Sequence, residues 1–273
     1  MKFWKMHGLG NDFVVIDNRD EKIGEEAGEL ARKLCERRFS IGADGLILLC
    51  NSHAADAKMR IFNADGSEAE MCGNGIRCLA KYCYENNIVR REYLSVETLA
   101  GVMKTWLTVD AGVVKEVKVD MGKPVLERSK IPMIGKGTCI NEEMDIDGEK
   151  FKATCLSVGN PHCVIFVSNL KSFPIEKIGP KIENHRLFPS RTNVEFVEVL
   201  NEAELAVRVW ERGVGETLAC GTGACASVVA GNLLGITRGK SMVHLLGGDL
   251  EVEYNGVGVF MTGPAEKAFE GVI

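Results

Sequence analysis

The sequence predicts an α+β fold made by internal duplication, with two similar domains. Three observations carry this. A long motif occurs twice, 148 positions apart from Cys72 to Cys220. Arg60-Ile61-Phe62, Glu68 and Cys72-Gly73-Asn74-Gly75 match Arg208-Val209-Trp210, Glu216 and Cys220-Gly221-Thr222-Gly223 without a gap. A second pair repeats at nearly the same offset: Gly10-Asn11 precedes Phe13-Val14-Val15-Ile16, and Gly159-Asn160 precedes Cys163-Val164-Ile165-Phe166. Finally, short β-type runs between Gly, Asn and Asp turns dominate, with few helical runs among them. Regular β-α-β alternation is not visible, which disfavours a doubly wound parallel sheet.

Taken in order, the strands predicted are 13–17, 46–50, 58–63, 102–109, 113–121, 194–200, 205–211, 250–254 and 257–262. The run 113–121 alternates polar and apolar residues, as a half-buried strand does. A helix over 25–38 has apolar residues at 27, 30, 31, 34 and 35 with charges between them, an amphipathic surface pattern. The segments 76–84 and 224–234 are apolar on most sides, which predicts one deeply buried helix per half. The second stops at Gly235, a good C-terminal signal. The domain boundary is expected near Met121-Gly122-Lys123-Pro124. The first half then covers 1–121, with the tail 264–273 returning to it, and the second covers 122–263. Polar 135–150 reads as an exposed excursion of the second half.

Bulk composition narrows the functional classes. The chain has 273 residues, 45% hydrophobic and 26% charged, enough for full cores. A net charge of −5 argues against a nucleic-acid binder. No run approaches the ~18 apolar residues of a membrane span. The N-terminal residues lack the apolar stretch and cleavage site of a signal peptide. Ten cysteines in a long chain without a leader point to a reducing cytoplasm, most of them buried as small apolar residues. Neither Cys-x-x-Cys nor His-x-x-x-His occurs, so no metal site is expected.

The chemistry lies in the repeated Cys-Gly-x-Gly. Each copy places a cysteine where a loop enters a helix. A helix N-terminus carries about half a positive charge and several unpaired N–H groups. A thiol there is expected to have its pKa lowered from about 8.5. The same N–H groups hold a carboxylate or a developing oxyanion. Two such copies facing one another suit the inversion of a stereocentre beside a carboxylate. One thiolate removes the hydrogen from one face and one thiol supplies a proton to the other. A dinucleotide-binding reading of Gly221-x-Gly223-x-x-Ala226 fails, because no acidic residue occurs between Glu216 and Asp249.

At these residues the sequence resembles the diaminopimelate epimerases, cofactor-independent amino-acid isomerases. The resemblance starts at Lys5-Met6-His7-Gly8-Leu9-Gly10-Asn11-Asp12-Phe13 and runs through Asn63-Ala64-Asp65-Gly66-Ser67-Glu68 and Met71-Cys72-Gly73-Asn74-Gly75. It continues in Gly159-Asn160-Pro161-His162, Thr192-Asn193, Glu211-Arg212-Gly213 and Ala219-Cys220-Gly221-Thr222-Gly223, closing on Met261-Thr262-Gly263-Pro264-Ala265. It implies interconversion of LL- and meso-2,6-diaminoheptanedioate without pyridoxal phosphate or metal, in lysine and peptidoglycan precursor synthesis. It also implies that each domain is a mixed, barrel-like sheet around a central helix, with the active site in the cleft between domains and a cytoplasmic homodimer.

Roles follow by position. Cys72 and Cys220 match the catalytic pair. Gly73, Asn74, Gly221 and Thr222 match the backbone donors to the reacting carboxylate. Asn11, Asn63, Asn160, Asn193, Glu211 and Arg212 match the remaining substrate contacts, and His162 and Glu211 match residues that tune the thiols. Arg212 suits a distal carboxylate and Glu211 an ammonium. Some members carry a ligand-contacting Gln where this chain has Gly45 after Asp44, so that position stays outside the expected site. Cys78, Cys83, Cys225 and Trp210 read as packing. Alternatives are a proline, hydroxyproline or histidine racemase of the same two-cysteine type. From another class, an anion-binding or thiol-redox protein remains.

Overall fold

The computed structural model describes residues 1–273. The chain divides into two compact units, Met1–Asp120 with Thr262–Ile273, and Met121–Met261. The first opens with β1 (Lys2–Gly8) and β2 (Asn11–Asp17), an antiparallel hairpin. Helix α1 (Ala27–Cys35) then crosses to β3 (Gly45–Cys50), which pairs parallel to β2. β4 (Ala57–Asn63) and the short β5 (Glu68–Ala69) form a second hairpin. Helix α2 (Gly73–Glu85) crosses to β6 (Tyr93–Thr98), parallel to β4, and β7 (Gly101–Asp110) and β8 (Val113–Gly122) extend the meander. The C-terminal strand Glu266–Val272 pairs antiparallel to β1.

The second unit repeats this plan. β9 (Cys139–Ile146) pairs with β10 (Glu149–Ser157), and β10 forms an antiparallel hairpin with β11 (Pro161–Phe166). Helix α3 (Ile175–Glu183) crosses to β12 (Asn193–Asn201), parallel to β11. β13 (Glu204–Glu211) and β14 (Gly215–Thr217) form the hairpin that leads into α4 (Gly221–Leu233). β15 (Lys240–Leu245) runs parallel to β13 and pairs with β16 (Gly248–Tyr254); β17 (Val259–Gly263) follows. Each half thus contains two helical crossovers in an otherwise antiparallel sheet, an α+β mixture.

Burial explains why these segments form. Leu46, Ile47, Leu48 and Leu49 are fully buried, because α1 covers one face of β3 and α2 the other. Strands buried on both faces read as continuous apolar runs. Each such side chain contributes roughly 1.5–3 kcal/mol. α4 is buried from Gly223 to Gly231 and ends in a left-handed Gly235 at φ +68°. α2 is as deeply buried but not wholly apolar. Arg77 is fully buried, donating to Gly73 O, Asn74 Oδ1 and Pro264 O, and Lys81 donates to Val114 O at 2.7 Å. Main-chain carbonyls, together with Glu85 at 2.8 Å from Lys81 Nζ, make these interior cations tolerable.

One sequence expectation needs correction, and one helix has no counterpart among the expected elements. The segment 135–150 is not an exposed excursion. Within it β9 pairs with β10, and Cys139, Met144 and Ile146 are buried in the second core. The acids Glu142, Glu143 and Asp145 face outward between them and hide the strand in the sequence. Helix α3 was not foreseen, because Gly179 and Pro180 lie inside it. Ile175, Ile178 and Ile182 nevertheless form its buried stripe. Gly179 is required there: a Cβ at that position would lie 2.6 Å from Trp210 Cγ. The Trp210 indole packs on α3 and donates to Glu183 Oε2 at 2.8 Å, so it is a packing residue.

Candidate active site

Each half delivers its cysteine in the same way. Arg60 and Glu68 form a two-point ion pair across the β4–β5 hairpin, with Nε to Oε1 at 2.8 Å and Nη2 to Oε2 at 3.0 Å. Arg208 and Glu216 repeat it across β13–β14 at 2.6 and 2.9 Å. The repeated Arg and Glu are therefore braces for the hairpin that precedes the cysteine. Cys72 caps α2 with φ −143° and ψ 122°, and Cys220 caps α4 with φ −123° and ψ 107°. Both are extended, as N-cap residues are.

In the first half, Cys72 Sγ accepts from the Gly75 N–H at 3.4 Å and lies 3.7 Å from Asn11 Oδ1. Asn11 is held from behind: its Nδ2 donates to Asp44 Oδ2 at 2.8 Å, and its Oδ1 accepts from Asn74 Nδ2 at 3.1 Å. Asp44 in turn meets Arg37 at 2.6 Å. Arg37 also binds Asp12, as does Lys5. Burial pushes the Asp12 carboxyl up, but hydrogen bonds and charge from Arg37 and Lys5 outweigh it and bring its pKa down to about 2. Asn63 sits at the exposed end of β4, donating to Ser67 Oγ at 2.9 Å. Gly73 and Asn74 open α2, buried. A Cβ on Gly75 would lie 3.1 Å from Ile47 and Ile61 Cδ1.

The second half is more enclosed and more acidic. Cys220 is buried, with Sγ 3.4 Å from Thr222 Oγ1. Burial, then the charges of Glu211 and Glu195, push this thiol well above its ordinary pKa; the Thr222 and Gly223 hydrogen bonds only partly oppose them. The expectation of a thiol lowered by its helix end is thus corrected for Cys220: desolvation and two carboxylates outweigh the dipole. Burial also raises the Glu211 carboxyl, against the Thr217 hydroxyl that donates to its Oε1 at 2.5 Å. His162 is fully buried, its Nδ1 2.7 Å from Glu195 Oε1 and its Nε2 2.8 Å from Asn160 Oδ1. Asn193 is spent largely on the backbone, accepting from Arg212 N and donating to Pro161 O. The exposed Arg212 guanidinium reaches Ser190 O at 3.3 Å and has no carboxylate partner. Gly221 and Thr222 supply the first helical N–H groups of α4.

The structure therefore gathers Asn11, Asn74 and Cys72 around one helix N-terminus. It gathers His162, Asn160, Glu211, Thr222 and Cys220 around the other. Glu195, Asp44 and Thr217 also belong to these clusters. Glu195 left a sequence signal: a single acid inside the apolar strand Val194-Glu195-Phe196-Val197. Thr217 left none. All ten cysteines are free thiols, and no group of three or more His, Cys, Asp or Glu side chains is arranged to hold a metal ion.

Comparison with known proteins bears on what this geometry serves. The model of the family described as Diaminopimelate epimerase matches residues 3–127 and 154–268. The diaminopimelate epimerase of Moorella thermoacetica is 55% identical over 99% of this chain and 98% of its own length. That of Acetivibrio thermocellus is 53% identical, covering 100% and 98%. Among solved structures, a hydroxyproline epimerase from Agrobacterium vitis aligns with a TM-score of 0.74 at 14% identity, over 100% of this chain and 90% of that one. A Bacillus anthracis phenazine biosynthesis protein of the PhzF family aligns at 0.71 and 17%, over 100% and 99%. At such identities these two structures speak for the fold alone, one with two similar domains.

Proposed function

This chain belongs to the diaminopimelate epimerase family, and from that premise we propose that it interconverts LL- and meso-2,6-diaminoheptanedioate by proton transfer between two cysteines. It is an isomerase of the amino-acid epimerase class. The observation that supports the mechanism best is the pair of cysteines, Cys72 and Cys220, each capping the buried helix of its half. One Sγ, as thiolate, takes the α-hydrogen as a proton. The electron pair left on carbon spreads into the adjacent carboxylate as an enolate-like dianion. The other Sγ–H gives its proton to the opposite face, and the two sulfurs exchange protonation states.

The first N–H groups of each helix suit the stabilising role. Those of Gly73 and Asn74 in α2, and of Gly221 and Thr222 in α4, precede the positions where helical bonding takes over. Aimed at the carboxylate as charge develops, such donors are worth about 3–4 kcal/mol each in enzymes where one has been removed. Cys220 fits the thiol state in the free enzyme, since burial and two carboxylates disfavour its anion. Glu211 fits an ammonium group, whose positive charge would oppose the burial that raises its pKa. Arg212, without a carboxylate of its own, fits the distal carboxylate, and Asn11, Asn63, Asn160 and Asn193 supply neutral contacts.

The same reading places the activity in lysine and peptidoglycan precursor synthesis, in the cytoplasm and in a homodimer. It assigns 1–121 with 264–273, and 122–263, to the two cooperating domains. The deciding experiment offers purified protein LL-diaminoheptanedioate without added cofactor and follows the meso product by chiral chromatography. Turnover that needs no pyridoxal phosphate is expected. Inversion of proline or histidine, with diaminoheptanedioate untouched, would move the assignment to another racemase.

A further inference from the structure

Beneath the N-terminal turn of α4 lies a polar pair that the fold does not require. His162 and Glu195 have no exposed side-chain surface, and Glu195 Oε2 is buried without a hydrogen-bond partner. The duplication supplies an internal control. Parallel pairing sets His162 opposite Asn193 in β11–β12, as it sets Phe13 opposite Gly45 in β2–β3. Glu195 lies two residues beyond Asn193, and Ile47 two residues beyond Gly45. The first half therefore carries buried Phe13 and Ile47 where the second carries His162 and Glu195. The helices above confirm the match. A Cβ on Gly75 would touch Ile47 Cδ1 at 3.1 Å, and one on Gly223 would touch Glu195 Oε1 at 2.8 Å. An apolar pair supports a cysteine-capped helix in one half, and a buried ion pair is seldom more stable than such an isostere. The polar pair points to function instead.

We propose that Glu195 is a positioning residue of the epimerisation site: through His162 it fixes the Asn160 side chain as a hydrogen-bond donor toward a substrate carboxylate. This rests on the epimerase reading given above. A bare carboxylate with one unpartnered oxygen, sealed from water, is costly. Glu211 and Cys220 are the other titratable groups facing the pair, and neither can supply a compensating cation. Two proton placements remove the charge. One proton sits on each nitrogen of His162, or the Glu195 carboxyl proton points at Nδ1. In both, Nε2 carries a hydrogen and donates it to Asn160 Oδ1 at 2.8 Å. The amide oxygen is then used, and the NH2 end is what a ligand meets. Asn11, the corresponding residue of the other half, is set in the opposite sense. Asp44 takes its Nδ2, so its oxygen faces Cys72 and Asn74. One asparagine is thus set as an acceptor and its counterpart as a donor.

The test combines ring-nitrogen NMR with kinetics. In 15N-histidine-labelled protein at neutral pH, long-range 15N–1H correlation should show hydrogen on His162 Nε2. In Glu195→Gln the side-chain amide donates to Nδ1 in place of the carboxyl, so Nε2–H persists and KM stays within about threefold. Glu195→Ile imports the residue that the first half already uses. It should fold with a melting temperature lowered by the buried, unpartnered Nδ1 of His162, and it no longer holds the ring hydrogen on Nε2. KM for LL-diaminoheptanedioate should then rise at least about tenfold, the size of one hydrogen bond to a charged group, with kcat changed less. An unchanged KM in Glu195→Ile, or a wild-type ring without hydrogen on Nε2, overturns the proposal. So does Glu195→Gln if it loses Nε2–H, a readout that also decides the matter should the isoleucine variant fail to fold. Because the ring signal needs no turnover, an inactive protein with Nε2–H intact would count against the epimerase reading and leave the positioning of Asn160 standing.

Discussion

The two halves share strand order, crossovers and a cysteine at the head of a buried helix, yet they surround that cysteine differently. In the first half the strands below α2 are apolar, and the charges sit to the side in the Lys5–Asp12–Arg37–Asp44 network. In the second half a polar pair, His162 and Glu195, lies directly below α4, with Glu211 beside it. The shared backbone plan fixes where a thiol stands; the side chains of the strand beneath it set what that thiol experiences. A backbone plan and the electrostatics of a site are thus separable, one held by hydrophobic packing and the other by a few side chains.

The largest test of this comparison removes each thiol in turn. Cys72→Ala and Cys220→Ala should each abolish epimerisation, losing more than the ~10²–10⁴-fold typical of an assisting acid–base group, because neither half can serve both faces. Chiral assay of the two variants checks this, and substantial turnover by either one breaks the comparison. Deuterated water sharpens it. Stopped early, the reaction should place deuterium in the product at the inverted carbon while recovered substrate stays nearly unlabelled. Equal label in both would mean that one base serves both faces.

Next come the glycines three residues after each cysteine. Both new methyl groups meet the Cβ of the preceding cysteine at 3.4 Å, but Gly223→Ala also drives against the Glu195 carboxylate at 2.8 Å, whereas Gly75→Ala meets isoleucine methyl groups at 3.1 Å. Gly223→Ala should lose about 1–3 kcal/mol and most activity; Gly75→Ala should lose less of both. Urea unfolding with parallel kinetics would show it, and equal losses would deny the difference between the halves. Cys225→Ala, in the body of α4, should lose some stability and keep its chemistry.

The smallest effects are in pH. The Asp12 pKa is lowered in the fold from 3.8 to about 2, so its stabilisation is present above about pH 4 and fades as pH falls toward 2. Glu211 is shifted upward, so its contribution is present below its unfolded value of 4.5 and is lost as pH rises through its higher folded value. Asp12→Asn should therefore flatten the acid limb of the stability curve, and Glu211→Gln the limb above pH 4.5. Denaturant midpoints across pH 2–7 test both, and an acid limb unchanged in Asp12→Asn would remove the first.

Much of this plan was legible in the chain. The Cys-Gly-x-Gly turns before apolar runs marked both helix starts, and the matched Arg and Glu marked both hairpins, though their role as braces needed coordinates. What stayed hidden had physical causes. β9 was masked by the exposed Asn141, Glu142, Glu143 and Asp145 between its buried residues, and α3 by an internal Gly-Pro. The interior cations of α2 break the link between burial and apolar character: Arg77 is buried on carbonyls, and Lys81 on a carbonyl and the Glu85 carboxylate. Glu195 escaped because only spatial pairing with His162 distinguishes it from a chance acid in a strand.

The C-terminal strand has a consequence for how the protein is made. The second unit is one continuous stretch, but the first needs Thr262–Ile273. Its buried Arg77 donates to Pro264 O, β1 pairs with the last strand, and the Met1 ammonium meets Ile273 O. On the ribosome, residues 1–120 emerge first, yet they cannot finish folding until residues 262–273 have been made and have cleared the exit tunnel. The half synthesised later can complete itself sooner. A chain truncated at residue 261 and released from the ribosome should thus carry a protease-resistant second half and a protease-sensitive first one, an order of completion opposite to the direction of translation.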